Sequence, residues 1–358
     1  MASDRVRKAA GAIPDALALA ERIAAVADRA VQEPYFVWDW GEAVAIQALV
    51  VASRSLGVPR WETWVGRQLD LWRQIHPDPF WPDHLGPGVA LIWHAERTDE
   101  QASLDYALRL GAHLASLPRT AAGALLLRPD KPDLQHFVWV DAIHTDGPFL
   151  CELSRVTGDP AWADLGATHT EGMCSHLQDP VTGLFAHRYN YASGAGNGVF
   201  WGRGSGWAAL GLGHLLTVLP RAHPAWSRLS TRLRTLAKTV ADLQTPTGHW
   251  HAVIDRPETL TESSTTALIG EGLALGIEAG ALGTTYDAVV RRAWAAVAGE
   301  VGLDGCVGNV SFRSPSSPSW REYAALPHSG CHPWGQGPWL LMGCRYLERT
   351  RDDVARGA

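Results

Sequence analysis

Apolar residues recur along most of the chain at the i, i+3, i+4 spacing of one helix face. Ala16, Leu19, Ala20, Ile23 and Val26 form one such stripe, Ala43, Ile46 and Val50 a second, and Leu229, Leu233, Leu236 and Val240 a third. Alternating strand patterns are short and few, as around His249 to Ile254, so the chain is expected to be all-α.

Two series of repeated segments organise these helices. In the first, a helix end is followed by Gly or Pro and then by an aromatic: Leu56-Gly-Val-Pro-Arg-Trp61, Thr157-Gly-Asp-Pro-Ala-Trp162, Ala222-His-Pro-Ala-Trp226 and Ala281-Leu-Gly-Thr-Thr-Tyr286. Each reads as the loop of a helical hairpin, with Gly or Pro stopping one helix and the aromatic starting the next. In the second, a polar and aromatic lead-in precedes an apolar, small-residue-rich run. These lead-ins are Trp38-Asp-Trp-Gly41, Trp81-Pro-Asp-His-Leu-Gly86, Trp139-Val-Asp141, Trp201-Gly-Arg-Gly204, Thr261-Glu-Ser-Ser264 and Trp334-Gly-Gln-Gly337. Six apolar helices alternating with six amphipathic ones predict an (α/α)6 barrel, its six lead-ins gathered at one mouth, as one domain over 1–358 with a core from about 15 to 350. An open solenoid is the competing arrangement. Gly204, Gly206, Gly211 and Gly213 favour closure, because inner helices must approach closely. Ser314-Pro-Ser-Ser-Pro-Ser319 reads as a rim loop before the last inner helix.

Composition narrows the function. The 358 residues carry a formal charge of −6, which makes a general nucleic-acid binder unexpected. With 46% hydrophobic and 19% charged residues the chain can bury a large core. Neither a secretory signal nor a membrane span is expected, because the start lacks a long apolar core and the Gly204 to Pro220 run is broken by glycines and His214. Five cysteines, an odd count without a CxxC pair, argue against a disulfide framework or zinc ribbon and suit a reducing cytoplasm. Tryptophan is in surplus, with 17 against 7 Tyr and 7 Phe. Such a surplus serves a thick helical core or flat platforms for sugar rings.

Several lead-ins carry chemistry. Asp83 and Asp141 each follow a Trp by two residues and precede a Gly-Pro, which should turn both carboxylates to one mouth. A carboxyl beside apolar rings and a like charge tends to stay protonated and can act as a general acid, although Asp at a helix start is also a common cap. In Trp201-Gly-Arg-Gly-Ser-Gly-Trp207 the flanking glycines should leave the Arg203 guanidinium open to grip a carboxylate, with Trp201 and Trp207 as walls; a buried Arg paired with Asp141 is the alternative. His187 can donate to a substrate oxygen or a carboxylate. His328-Ser-Gly-Cys-His332 has metal-ligand residue types but too few of them, and no phosphate loop, GxSxG elbow or HExxH is present.

The ordered set Trp139-Val-Asp141, Gly147-Pro-Phe-Leu150, Thr157-Gly-Asp159, Asp179-Pro-Val-Thr-Gly-Leu-Phe-Ala-His187, Trp201 to Trp207 and Thr261-Glu-Ser-Ser-Thr-Thr-Ala267 resembles the unsaturated glycuronyl and rhamnogalacturonyl hydrolases of glycoside hydrolase families 88 and 105. The resemblance runs from about Trp38 to Trp339 and is most specific between Trp139 and Trp207. It implies an (α/α)6 barrel that releases a terminal 4,5-unsaturated uronic acid from lyase-generated oligosaccharides by hydrating the C4=C5 bond, an exception to the usual two-carboxylate scheme. By that similarity Asp141 protonates C4 and activates water for C5, and Asp83 is the second carboxylate. His187 and Arg203 would be polar substrate contacts, and Trp40, Trp139, Trp201 and Trp207 would surround the sugar. The implied partner is an acidic oligosaccharide or glycoside, with no metal, organic cofactor, nucleic acid or membrane. The chain departs from the family at Ala142, where a second Asp is common, and at Ser205, where Asn is common. An ordinary inverting glycosidase and a non-catalytic helical scaffold remain the other readings of these residues.

Overall fold

The computed structural model describes residues 16–33, 39–78 and 88–357. Asp83, together with Trp38, Trp81 and Gly86-Pro87, lies outside the described residues. Among the described residues, twelve helices of eleven residues or more alternate in chain order. The amphipathic ones are α1 (Ala16–Ala30), α3 (Arg60–Ile75), α5 (Gln101–Ser116), α7 (Pro160–Leu177), α9 (Trp226–Leu243) and α11 (Asp287–Ala298). The others are α2 (Trp40–Leu56), α4 (Gly88–Thr98), α6 (Gly147–Thr157), α8 (Gly202–Val218), α10 (Ser263–Glu278) and α12 (Pro333–Gly357). Helix α9 buries only the stripe Leu229, Leu233, Leu236 and Val240 with its near neighbours, as the face of an outer helix should. Helices α2, α8 and α10 are buried nearly all round, as inner helices must be.

Each inner helix packs on the next, and α12 packs back along α2, which closes the ring. The chain therefore forms an (α/α)6 barrel and not an open solenoid. Closure depends on absent side chains. A Cβ on Gly272 in α10 would lie 2.3 Å from the Ala209 carbonyl carbon of α8, and one on Gly213 would lie 2.5 Å from the Gly272 carbonyl oxygen. At the seam, a Cβ on Gly337 in α12 would lie 2.7 Å from the Ala45 nitrogen in α2. Gly272→Ala should therefore push two inner helices apart and cost about 1–3 kcal/mol or more, the range for overpacking. A urea midpoint unchanged by that substitution would show that the crossing is not tight.

The hairpin loops all join an inner helix to the following outer one. Gly57 (φ 66°) and Gly158 (φ 73°) end α2 and α6 in the left-handed region, which suits glycine, and Trp61 and Trp162 open the next helices. The described lead-in residues gather at the opposite end, before or within the first turns of the inner helices. There the chain makes small antiparallel pairings. β1 (Phe137–Trp139) pairs with β2 (Arg188–Asn190), and β2 with β3 (Ala195–Gly196). β4 (Trp250–His251) pairs with β5 (Thr261–Glu262), and β6 (Val310–Ser311) with β7 (His328–Ser329).

Tryptophan serves mostly as core: Trp61, Trp72, Trp201, Trp207, Trp250 and Trp339 are among the largest fully buried side chains. The cysteine expectation needs correction. Cys306 and Cys331 are bonded across 25 residues, a pairing to which CxxC arithmetic is blind, while Cys151, Cys174 and Cys344 are buried free thiols. No helix among the described residues is long and apolar enough to cross a membrane.

Candidate active site

The mouth holds a cavity of about 270 Å³ lined by Trp40, Trp139, Asp141, His187, Trp201 and Arg313, with Leu127, Arg128, Leu134, Ala142, Thr145, Ser314 and Ser316 completing its wall. Local structure explains why Asp141 and His187 meet there. The β1–β2 pairing sets Trp139 opposite Arg188, and the Val140 amide donates to the His187 carbonyl at 3.0 Å. Asp141, two residues beyond Trp139, thus lies beside His187, one residue before Arg188, and its Oδ2 is 3.7 Å from His187 Nε2. Asp141 occupies the N-cap position of a helical turn, Ala142–Thr145, yet its side chain makes no capping bond. Capping therefore does not explain this carboxylate.

His187 is 5% exposed, and burial pushes its imidazole pKa down to about 3, an effect that Arg203 and Arg188 reinforce. It is a neutral ring at ordinary pH. Its Nδ1 lies 2.6 Å from the Tyr323 hydroxyl, and its ring centre 4.4 Å from that of Trp201.

Two sequence-selected residues stand behind the cavity and not on its wall. Arg203 is fully buried: the rings of Trp40, Trp201 and Trp334 surround it, with its guanidinium carbon 4.8 Å from the centre of Trp201. Its Nη1 donates to the Ser311 carbonyl at 3.0 Å and to Ser264 Oγ at 3.2 Å, and its Nη2 to the Phe312 carbonyl at 2.8 Å. Glu262 is its ionic partner at 3.6 Å. The expectation of an open guanidinium is corrected accordingly: the flanking glycines let neighbouring backbone close over Arg203 rather than expose it. Gly202 abuts the His251 carbonyl and Thr265, and Gly204 abuts Val140. Burial lowers the Arg203 pKa to about 10, against the pull of Glu262 and Asp141, so it keeps its charge. Arg203 is thus buried as the structural alternative had it, with Glu262 as its ion-pair partner. Trp207 is likewise buried, stacked on His144 with ring centres 5.2 Å apart and edge-on to Trp40 at 5.8 Å.

Glu262 and Asp39, each in a lead-in, act as helix caps. Glu262 accepts from the Thr265 amide at 2.5 Å and from Ser264, and Asp39 accepts from the Gly41 amide at 3.1 Å. Gln336 latches the seam by accepting from the Val307 amide and donating to the carbonyls of Val26 and Gly305. Asp39 also pairs with Arg313, whose guanidinium lies over the Trp40 ring at 5.1 Å. Beside them Glu42 is pushed up to about 9, first by burial and then by the neighbouring Asp39, so it stays protonated at neutral pH.

Arg313, at 46% side-chain exposure and paired with Asp39, lies on the cavity wall where Arg203 was expected, and Arg128 is a second cation there. Sequence reasoning read the adjacent Ser314 to Ser319 run as rim loop but passed over the Arg that begins it. It also passed over Tyr323 and the α5–β1 connection that carries Leu127, Arg128 and Leu134. No motif distinguishes these residues; only their place at the rim does. The departures resolve simply, with Ala142 on the cavity wall and Ser205 buried with its hydroxyl unpaired. His328 and His332 turn to different partners, Asn309 and Ser329.

Known proteins share both sequence and architecture with this chain. The profile of Glycosyl Hydrolase Family 88 matches residues 18–350. The unsaturated rhamnogalacturonyl hydrolase YesR of Bacillus subtilis is 28% identical over 328 residues, which cover 88% of this chain and 92% of that protein. An unsaturated 3S-rhamnoglycuronyl hydrolase of Alteromonas sp. strain LOR is 30% identical over 215 residues, 58% of this chain and 51% of that protein. Among solved structures, a possible member of family GH105 from Salmonella enterica superposes with a TM-score of 0.85 at 18% identity, covering 94% of this chain and 96% of that one.

Proposed function

Because the chain belongs to Glycosyl Hydrolase Family 88, we propose that it removes a terminal 4,5-unsaturated uronic acid from an acidic oligosaccharide by hydrating the C4=C5 bond. The observation that carries this reading is the Asp141 carboxyl: it faces a tryptophan-walled cavity, serves no helix as a cap, and has a neutral imidazole beside it. The relatives YesR and the Alteromonas enzyme are named for unsaturated uronyl substrates, which supports the same class here.

Asp141 in its acid form gives a proton to C4, and positive charge develops at C5 and the ring oxygen. Water adds at C5 as Asp141 takes a proton back. The hemiketal so formed opens, and the exposed C1 hemiacetal releases the aglycone as an alcohol. One water is consumed and Asp141 ends protonated, ready for the next turnover. Trp40, Trp139 and Trp201 supply apolar walls for the flat ring, and His187 a neutral N–H donor. Asp83 is retained as the second carboxylate on the resemblance alone. Arg203 supports the site from beneath, holding the backbone of Ser311 and Phe312 that leads to Arg313. Loss of the ultraviolet absorbance of the conjugated alkene on mixing enzyme with an unsaturated uronyl disaccharide tests the reading directly; absorbance that persists while the glycosidic bond breaks would instead mark an ordinary glycosidase.

Arg313 is assigned the substrate carboxylate in this reading. Arg313→Met should raise KM for the uronide by about 1.5–3 kcal/mol, roughly 10- to 150-fold, the worth of a charged hydrogen bond. The methyl ester of the same substrate should be far less sensitive. Equal losses on acid and ester would remove Arg313 from this role.

A further inference from the structure

His187 is held on its far side by a hydrogen-bond chain whose direction follows from chemistry. Asn197 lies just beyond β3, and its Nδ2 is 2.9 Å from the Ser317 carbonyl and 3.1 Å from the Tyr323 hydroxyl. A carbonyl only accepts, so the amide atom at Ser317 is nitrogen, and Asn197 Oδ1 correspondingly faces the Arg188 amide at 3.4 Å. Asn197 therefore donates to Tyr323 Oη. Tyr323, 1% exposed on the short helix Trp320–Ala324, spends its own hydrogen on the remaining neighbour, His187 Nδ1 at 2.6 Å. An accepting Nδ1 leaves the ring proton on Nε2, the atom that faces Asp141.

We propose that Asn197 and Tyr323 are positioning residues that hold His187 as the Nε2–H tautomer, so that it meets Asp141 and the substrate as a hydrogen-bond donor and never as a base. Asn197 comes from the same α7–α8 connection as His187, ten residues further on, and Tyr323 from the distant stretch between β6 and β7. The charged groups facing the ring are Asp141 on one side and Arg203 and Arg188 on the others; the two arginines and burial together oppose a second proton. Tyr323 then decides only which nitrogen carries the single one, and its phenol stays protonated because burial raises its pKa. A neutral N–H faces the Asp141 carboxyl across 3.7 Å without a positive charge that would oppose its protonation. The catalytic half of this proposal rests on the function proposed above; the tautomer does not.

The test uses the full chain labelled with ¹⁵N-histidine, with His187 assigned by comparison with His187→Gln. Long-range ¹H–¹⁵N spectra of the wild type should show a protonated, pyrrole-type Nε2 and a pyridine-type Nδ1 throughout the neutral range. Tyr323→Phe keeps the ring and removes the donor, so His187 should shift to mixed tautomers or to Nδ1–H. Its kcat on an unsaturated uronide should fall by roughly 10- to 100-fold, by analogy with the loss when the outer partner of a metal-ligating histidine is removed, with KM little changed. Asn197→Ala should move both readouts the same way by less. A wild-type Nδ1–H signal overturns the proposal even if neither variant folds, and so does a folded Tyr323→Phe enzyme with unaltered tautomer and kcat. A wild type that holds Nε2–H but is inert on every unsaturated uronide overturns the proposed function and leaves the relay standing.

Discussion

Asp141→Asn should lower kcat on a 4,5-unsaturated uronide by at least the ~10²–10⁴-fold that general acid–base catalysis supplies, while the protein folds and binds as before. The amide keeps the shape of the carboxyl, with His187 Nε2 a neighbour 3.7 Å from Oδ2. It has no acidic proton to give C4 and no basic oxygen to receive one from water. No helix cap is lost in the variant, because the Asp141 side chain makes no capping hydrogen bond. Isotope labelling extends the test from residue to mechanism. In deuterated water the wild type should place deuterium at C4 of the product, which direct displacement at the anomeric carbon does not do. Near-normal turnover by Asp141→Asn, or a product without deuterium at C4, would defeat the assignment.

Arg203→Met should act first on stability. The guanidinium is the ionic partner of Glu262, which is 1% exposed, and removing one member of a buried pair costs about 3–5 kcal/mol because the other is left charged and uncompensated. The pH dependence follows from Glu262. In the wild type burial would raise its pKa, but Arg203, Thr265 and Ser264 together hold it below the ordinary 4.5. That contribution is therefore present above the unfolded value and lost as pH falls through the folded one. Without Arg203, burial dominates and the folded-state pKa rises, so the variant is least compromised where Glu262 is protonated. The gap between wild type and variant should narrow as pH drops below the ordinary carboxylate range and widen toward neutrality. Arg203→Met with Glu262→Gln should recover part of the loss. Thermal unfolding across pH measures all three proteins, and a constant gap would mean that the pair is not the origin of the cost.

The architecture was legible because it is written in local, repeated signals. Helix faces show as spacing, hairpin loops as Gly or Pro before an aromatic, and inner helices as runs rich in small residues; Gly213, Gly272 and Gly337 sit where backbone meets backbone. That Asp141, His187, Trp40, Trp139 and Trp201 share one mouth was legible for a related reason. Four of them belong to lead-ins and His187 lies between two of them, and closing the ring brings all five to one cavity.

What the sequence by itself determined is thus the alternation of helices, the end of the barrel at which polar and aromatic residues gather, and a carboxylate among tryptophans. Tertiary structure alone decided that Arg203 stands behind the cavity while Arg313 and Arg128 line it, because placement and not residue type separates them. Arg203 is covered when β5, β6 and the start of α12 close over it, whereas Arg313 emerges one residue past the carbonyls that Arg203 binds. Likewise Tyr323, 136 residues from His187, reaches it only after the rim segments fold inward. Burial and long-range hydrogen bonding are properties of the closed ring, and no local pattern encodes them before the ring has closed.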